Sequence, residues 1–148
     1  MNEKCNVDLL IIEVDGQRQV IELRKFLSID ENNIEKELVE NPAQYAYYAS
    51  VLGWYENLYS RVENEIEVIE AKKDLEIRKE GGGELKEREV RSKLLLDKEL
   101  MEKKEYLFQI DEVVRRLRAL VKGIEKKGDR LAQLYSRWKL MGLKEGGL

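Results

Sequence analysis

The sequence predicts a mainly α-helical fold: a long antiparallel helical hairpin, preceded by a small N-terminal β-hairpin or short helices, that assembles into a homo-oligomer. Its 148 residues are 39% charged and include one proline, a composition typical of long helices and coiled coils. Apolar residues recur at alternating steps of four and three along two long segments, which the triplet Gly81-Gly82-Gly83 separates. We therefore expect an N-terminal extension over residues 1–27 and a helical domain over residues 28–148.

The N-terminal extension favours a β-hairpin. An apolar, partly β-branched run over residues 7–14 is followed by Asp15-Gly16 and a second short apolar run. Asp-Gly between two such runs is typical of a two-residue hairpin turn. The alternative is that residues 17–27 are already helical.

Two helical segments come next. Ser28 or Asp30 can cap a short helix over residues 31–40, which Asn41-Pro42 ends because helical backbone is disfavoured before proline. A long helix then runs from about residue 43 to 80, and the glycine triplet ends it. Its heptad seam consists of Tyr48, Leu52, Tyr55, Tyr59, Val62, Ile66 and Ile69.

A second long pattern runs from about residue 85 to 140. Gly123 and Gly128 each cost about 1 kcal/mol inside a helix, so a kink is expected there. An unbroken rod of about 80 Å would carry an apolar stripe that the rest of so short a chain cannot cover, which predicts self-association. The seam, interrupted at Lys103 and Gly128, consists of Leu96, Leu100, Leu107, Ile110, Val114, Leu117, Val121, Ile124, Leu131, Tyr135 and Trp138.

The first long helix also carries a second apolar face, roughly opposite its seam, formed by Tyr47, Val51, Trp54 and Leu58. Such a face suits base stacking on single-stranded nucleic acid, or a subunit interface, where Tyr and Trp are enriched. We favour the interface. The predicted oligomer interface consists of Tyr47, Trp54, Leu58, Leu131, Tyr135 and Trp138.

The net charge of −3 hides a gradient. Residues 1–70 hold six basic and 15 acidic residues, whereas residues 115–148 hold ten basic and three acidic ones. In the basic C-terminal segment, cations repeat at i,i+4. Because like charges at this spacing destabilise a helix slightly, their repetition indicates an anionic partner such as phosphate. The alternative is that acidic residues between positions 29 and 53 neutralise them across the hairpin. The repeated cations are Arg118, Lys122, Lys126 and Arg130.

The residue inventory argues against an enzyme. The chain has no histidine and a single cysteine, Cys5, so a catalytic triad or a histidine-containing metal site is excluded. The glycine triplet lacks the lysine that ends a phosphate-binding P-loop. No cofactor is expected, and the apolar run at residues 7–14 is too short to cross a bilayer, so we expect a cytoplasmic protein.

The segment NPAQYAYYASVLGWYENLYSRVENEIEVIEAKKDLEIRKE, a short break and then KEREVRSKLLLDKEL resemble the UvsY-type family of phage recombination, repair and single-stranded-DNA-binding proteins. The resemblance covers about residues 29–140. It implies a ring-like helical homo-oligomer that binds single-stranded DNA and helps load a strand-exchange recombinase onto DNA covered by single-strand-binding protein. The family's basic DNA-binding segment, late in the first long helix, corresponds here to Lys72, Lys73, Arg78 and Lys79, although Asp74 and Glu76 dilute its positive charge.

We therefore predict a recombination mediator working in the host bacterial cytoplasm if it is phage-encoded. Residues 28–148 would both oligomerise and bind DNA. Its phosphate contacts would be Lys72, Lys73, Arg78 and Lys79, with Arg118, Lys122 and Lys126 as a second set. The alternative is a coiled-coil structural or assembly scaffold that binds no nucleic acid.

Overall fold

A computed structural model describes the backbone of residues 6–146 and the side chains of residues 6–142; Cys5 lies outside the described residues. The fold is mainly helical, with a long helical hairpin and a small antiparallel β-hairpin, as predicted. Two compact units are distinguished: the first combines the chain up to Gly53 with the chain from Arg115, and the second is Trp54–Val114. The elements are β1 (Leu9–Val14), β2 (Gln17–Glu22), α1 (Leu23–Leu27), a 3-10 turn (Glu31–Asn33), α2 (Ile34–Glu80), α3 (Glu87–Leu95) and α4 (Lys98–Gly146).

The β-hairpin of the first unit turns at Asp15 and Gly16, whose φ angles of 52° and 74° are both left-handed. Two positive φ angles are the signature of a type I′ turn, which an Asp-Gly pair adopts readily. The strands pair from Val14↔Gln17 to Leu9↔Glu22. The predicted hairpin is thus confirmed, and helix begins only at Leu23.

One side of this hairpin contributes to the core of the first unit. Leu10, Ile12 and Ile21 are at most 6% exposed, as expected when alternate residues of a strand point to the same face. Helix α4 supplies most of the remaining apolar core. Its residues Leu117, Leu120, Ile124 and Leu131 are at most 1% exposed.

The prediction that Asn41-Pro42 ends a short helix is wrong, because α2 runs through Pro42 without interruption. Pro42 is exposed, and its missing N–H removes a single helix hydrogen bond, the one to the carbonyl of Leu38. Asn41 is buried, and its side-chain amide donates to the backbone oxygen of Ile124 at 3.1 Å. This contact fixes α2 to α4 at the residue directly before the proline. At the start of α2, Asp30 caps the 3-10 turn by accepting from the N–H of Asn32.

Gly123 and Gly128 lie where α4 closely approaches other parts of the first unit. A Cβ at position 128 would lie 2.5 Å from Oδ1 of Asn41, and one at position 123 would lie 2.7 Å from a terminal methyl of Leu27. Helix α4 continues through both glycines. These glycines therefore provide room for neighbours, and the helix is not interrupted there.

Replacing Gly128 with alanine is expected to lower the free energy of unfolding by about 1 kcal/mol. The methyl group displaces Asn41 from its buried hydrogen bond, a loss of about 1–3 kcal/mol, and the better helix propensity of alanine offsets about 1 kcal/mol. Gly53→Ala is the control, since a Cβ there meets nothing within 4 Å, and it should stabilise the protein. Urea unfolding of both variants checks this, and a Gly128→Ala protein as stable as Gly53→Ala would contradict it.

In the second unit, α2 and α4 are antiparallel, as their ion pairs show. Glu65 of α2 pairs with Lys103 of α4 at 2.7 Å, whereas Lys73, later in α2, pairs with Glu99, earlier in α4, at 2.9 Å. The pairing with Glu65 gives Lys103 a structural role at a seam position where the heptad pattern lacks an apolar residue. The apolar core of this unit consists of Tyr55, Val62, Ile66, Val90, Leu100, Ile110 and Val114.

The second long segment is not the single helix that the sequence predicts. Helix α3 ends at Leu95 and α4 begins at Lys98, because Asp97 caps the new helix by accepting from the N–H of Leu100 at 3.0 Å. Leu96, predicted to lie in the seam, is 80% exposed at this break. No helix in the described part of the chain is long and apolar enough to cross a membrane.

Candidate nucleic-acid interface

Six cations line the solvent side of α4 in the first unit, and we call this surface the basic face. All six are exposed, and at 3.6 residues per turn they lie roughly opposite Leu117, Leu120, Ile124 and Leu131, the core side of the helix. The arrangement is a ridge of positive charge directed away from the protein. The basic face consists of Arg115, Arg118, Lys122, Lys126, Arg130 and Arg137.

Intramolecular neutralisation by the acidic N-terminal half, the alternative that the sequence left open, is seen at Lys127, which lies outside the basic face. Lys127 is 8% exposed, and its ammonium contacts Glu37 at 3.0 Å and the backbone oxygen of Phe26 at 3.2 Å. Lys122, Lys126 and Arg130 are exposed and have no ion-pair partner among side chains 6–142. The acidic N-terminal half therefore neutralises Lys127 rather than these three cations.

Other members of the C-terminal basic run have polar partners. Arg115 and Arg118 interact with other residues of the chain. Arg116 donates to the backbone oxygen of Leu9 and, at 3.4 Å, to that of Asn6. Arg116 therefore anchors the edge of β1 to α4, a role that the sequence pattern did not reveal.

The four basic residues late in α2 fall into two pairs, and Lys73 and Arg78 form the ion-paired one. The ammonium of Lys73 lies 2.7 Å from Asp97 and 2.9 Å from Glu99. Arg78 contacts Asp74 and, at 2.7 Å, Glu87. Hydrogen bonds to these carboxylates raise the pKa of Lys73 and of Arg78, and the bond from Lys73 lowers the pKa of Asp97.

Lys72 and Lys79 form the other pair. Both are exposed, and neither has an ion-pair partner within the described side chains. The sequence contains a signal that separates the ion-paired cations from the accessible ones. Lys73 continues the heptad spacing of Ile66 and Ile69 and therefore points toward the packed side of α2. Lys73 and Arg78 hold the turn between α2 and α4 together, whereas Lys72 and Lys79 are accessible to a ligand.

The residues predicted to form the oligomer interface differ in how exposed their side chains are. Tyr47, Trp54 and Trp138 are 42%, 53% and 56% exposed, whereas Leu58 and Tyr135 are half-buried. Leu131 is fully buried in the first unit, so we correct its assignment from interface to core. Val51, predicted to belong to the second apolar face of α2, is also buried.

The exposed aromatic side chains have local partners. The hydroxyl of Tyr47 accepts from the amide of Gln19 at 3.0 Å, and Tyr47 meets Tyr48 edge to face. Trp138 lies beside Tyr135, with ring centroids 5.9 Å apart. The ammonium of Lys139 lies 4.9 Å from the centre of the Tyr135 ring. These contacts orient the rings while leaving large parts of Tyr47 and Trp138 exposed.

The candidate site in the described residues is a surface of charged side chains. No group of three His, Cys, Asp or Glu side chains among them is arranged to hold a metal ion. A depression on α4 is lined by residues of that helix alone, which makes it a shallow surface groove: Lys98, Met101, Glu102, Glu105, Tyr106 and Gln109. Comparison with protein-family models, curated proteins and solved structures finds no match for this chain.

Proposed function

We propose that the chain binds single-stranded DNA through the basic face of α4 and acts as a recombination mediator of the UvsY type. The observation that carries the proposal is the exposed row of Lys122, Lys126 and Arg130, which has no ion-pair partner among side chains 6–142. Like charges stacked at i,i+4 slightly destabilise an isolated helix. Phosphates bound along the row would remove that repulsion and release counterions.

The geometry of the row suits a flexible polyanion. Successive cations rise by about 6 Å along α4, so the ridge from Arg118 to Arg130 is about 18 Å long. A straight ridge of this kind contacts backbone phosphates and reads no base edges, so binding would be independent of sequence. The preference for single strands over duplex rests on the family resemblance.

The ion pairs change the expected order of the DNA contacts. Lys73 and Arg78 each contact two carboxylates, so using them for phosphate would require breaking contacts of the turn. We therefore assign them to the fold. Lys72 and Lys79 are proposed as contacts additional to the basic face.

The mediator proposal includes a homo-oligomer that works in the bacterial cytoplasm. Exposed Tyr47, Trp54 and Trp138 are suitable contacts between copies, since aromatic residues are enriched at interfaces. Several weak basic faces acting on one strand would raise its affinity through effective concentration. The assembled protein would then help a recombinase displace single-strand-binding protein from DNA.

The test is charge reversal on the basic face. The variant Lys122→Glu/Lys126→Glu/Arg130→Glu is expected to lose at least about tenfold in affinity for a labelled single-stranded oligonucleotide, measured by fluorescence anisotropy. Because each phosphate contact on a single strand contributes about 0.7 to the slope of log K against log salt, the slope should fall by about 2. A duplex of equal length should bind more weakly than the single strand.

The matched control is Arg88→Glu/Arg91→Glu/Lys93→Glu, which changes the net charge equally at three exposed positions of α3. It should retain most of the affinity. Equal losses in both triple variants would mean that net charge alone controls binding. No binding by the folded wild-type protein at low salt would overturn the proposal and favour the scaffold that binds no nucleic acid.

A further inference from the structure

The β-hairpin has two sheet edges, and within the described residues only the β1 edge accepts a hydrogen bond from a helix. In a two-residue hairpin the closing pair, here Val14↔Gln17, exchanges both backbone hydrogen bonds, and every second pair repeats this pattern. The pattern extends to the bond from the N–H of Leu23 to the oxygen of Asp8 at 2.8 Å. The backbone groups of Leu9, Ile11 and Glu13 therefore point out from β1, and those of three β2 residues point out from the other edge: Arg18, Val20 and Glu22.

The β1 edge is held by α4 of the same chain, since Arg116 donates to the oxygen of Leu9. On the β2 edge, by contrast, Arg18 and Glu22 are exposed and Val20 is 55% exposed. The outer face of the hairpin adds Ile11, which is 44% exposed and lies directly across from Val20. An extended strand with an exposed edge and apolar side chains is a template for another strand.

We propose that β2 pairs antiparallel with β2 of a second copy of this chain, about a twofold axis at Val20, and so forms a four-stranded sheet. In this register Arg18 lies opposite Glu22 of the second copy, and the symmetry repeats the pair. Opposite charges directly across two strands stabilise their pairing. Val20 lies opposite its own copy, and Ile11 of each chain extends the apolar strip on the outer face.

The charges select this register over its neighbours. The two β2 strands can pair only in registers that place outward-pointing backbone groups opposite each other. The alternative registers are therefore shifted by two or four residues. A shift of two residues places Arg18 or Glu22 opposite Val20, and a shift of four places Arg18 opposite Arg18 or Glu22 opposite Glu22. Within its own chain Glu22 has a weak competitor, Lys25, at 3.9 Å with both side chains largely exposed.

Charged residues on an edge strand also serve to prevent pairing between chains. Here the two charges have opposite sign and flank Val20 symmetrically, so they favour this particular pairing while opposing the like-charge registers. The contact uses a surface separate from the basic face of α4. It is therefore independent of DNA binding and is tested without DNA.

The experiment uses disulfide trapping in full-length protein carrying Cys5→Ser. Val20→Cys places two sulfurs at the twofold axis, where directly opposed residues have Cα atoms about 5.5 Å apart, a separation that a disulfide can span. Gln17→Cys is the matched control, because its copies would be about 20 Å apart at 3.3 Å per residue. We expect covalent dimer from Val20→Cys and none above background from Gln17→Cys.

Charge exchange tests the register in the same Val20→Cys protein. Arg18→Glu alone and Glu22→Arg alone place like charges opposite each other, and each should slow dimer trapping at least fivefold. The combined Arg18→Glu/Glu22→Arg protein restores opposite charges and should recover the original rate. Trapping from Val20→Cys no faster than from Gln17→Cys, or a combined variant as slow as either single one, would overturn the proposal; circular dichroism confirms that each variant is folded.

Discussion

Replacing Glu37 with alanine is expected to lower the free energy of unfolding by about 3 kcal/mol, measured by urea unfolding at neutral pH. Glu37 is the ion-pair partner of Lys127, and their side chains are only 19% and 7% exposed. Without Glu37 the ammonium of Lys127 stays buried and keeps its contact with the neutral backbone oxygen of Phe26, and an incompletely compensated buried charge costs about 3–5 kcal/mol. Glu37 also accepts from the N–H of Asp30 at 2.9 Å, which adds to the loss.

Glu40→Ala is the matched control on the same helix. Glu40 pairs with Lys36 at 4.0 Å, with both side chains at least half exposed, and such surface pairs contribute at most about 1 kcal/mol. The double variant Glu37→Leu/Lys127→Met should regain most of the lost stability, because apolar replacements leave no buried charge. A Glu37→Ala protein as stable as Glu40→Ala would show that solvent compensates Lys127.

The second large effect is expected at Leu131. The heptad pattern places Leu131 and Leu96 in one seam, but Leu131 is 0% and Leu96 is 80% exposed. Leu131→Ala should lower the free energy of unfolding by about 3 kcal/mol, since truncating a buried leucine loses apolar burial and leaves a cavity. Leu96→Ala removes the same atoms from an exposed side chain and should change stability by less than about 0.5 kcal/mol.

Both leucine variants are compared at one fixed protein concentration, so that any self-association contributes equally. Similar losses in the two variants would mean that Leu96 is covered in solution, as a seam residue would be in an assembled protein. A small loss at Leu131 alone would contradict its assignment to the core of the first unit.

Much of the fold follows from local patterns in the sequence. Asp15-Gly16 predicts the hairpin turn because few residue pairs tolerate two left-handed φ angles. The heptad spacing predicts the buried side of α2, where none of the seven seam residues is exposed, because helical periodicity places them on one stripe. Most of the second seam is also buried or half-buried, with Leu96 and Trp138 exposed.

The candidate site was less accessible to sequence reasoning. The repeat of cations along α4 is visible in the sequence, but whether acidic residues cover it depends on which side of α4 faces the N-terminal segment. In the folded chain Glu37 meets Lys127, one residue beyond Lys126. The division of the earlier basic segment depends likewise on Asp97, Glu99 and Glu87, which lie beyond the glycine turn.

The sequence by itself determined the helical fold class, the hairpin turn, the main apolar seams and the gradient of charge, because each depends on neighbours within one or two turns of backbone. The tertiary structure decided that α2 continues through Pro42 and that Lys73, Arg78 and Lys127 form ion pairs within the fold. These outcomes depend on contacts between residues far apart in the chain. Leaving a buried polar group or charge without its partner costs about 1–5 kcal/mol, enough to override a local preference of about 1–3 kcal/mol.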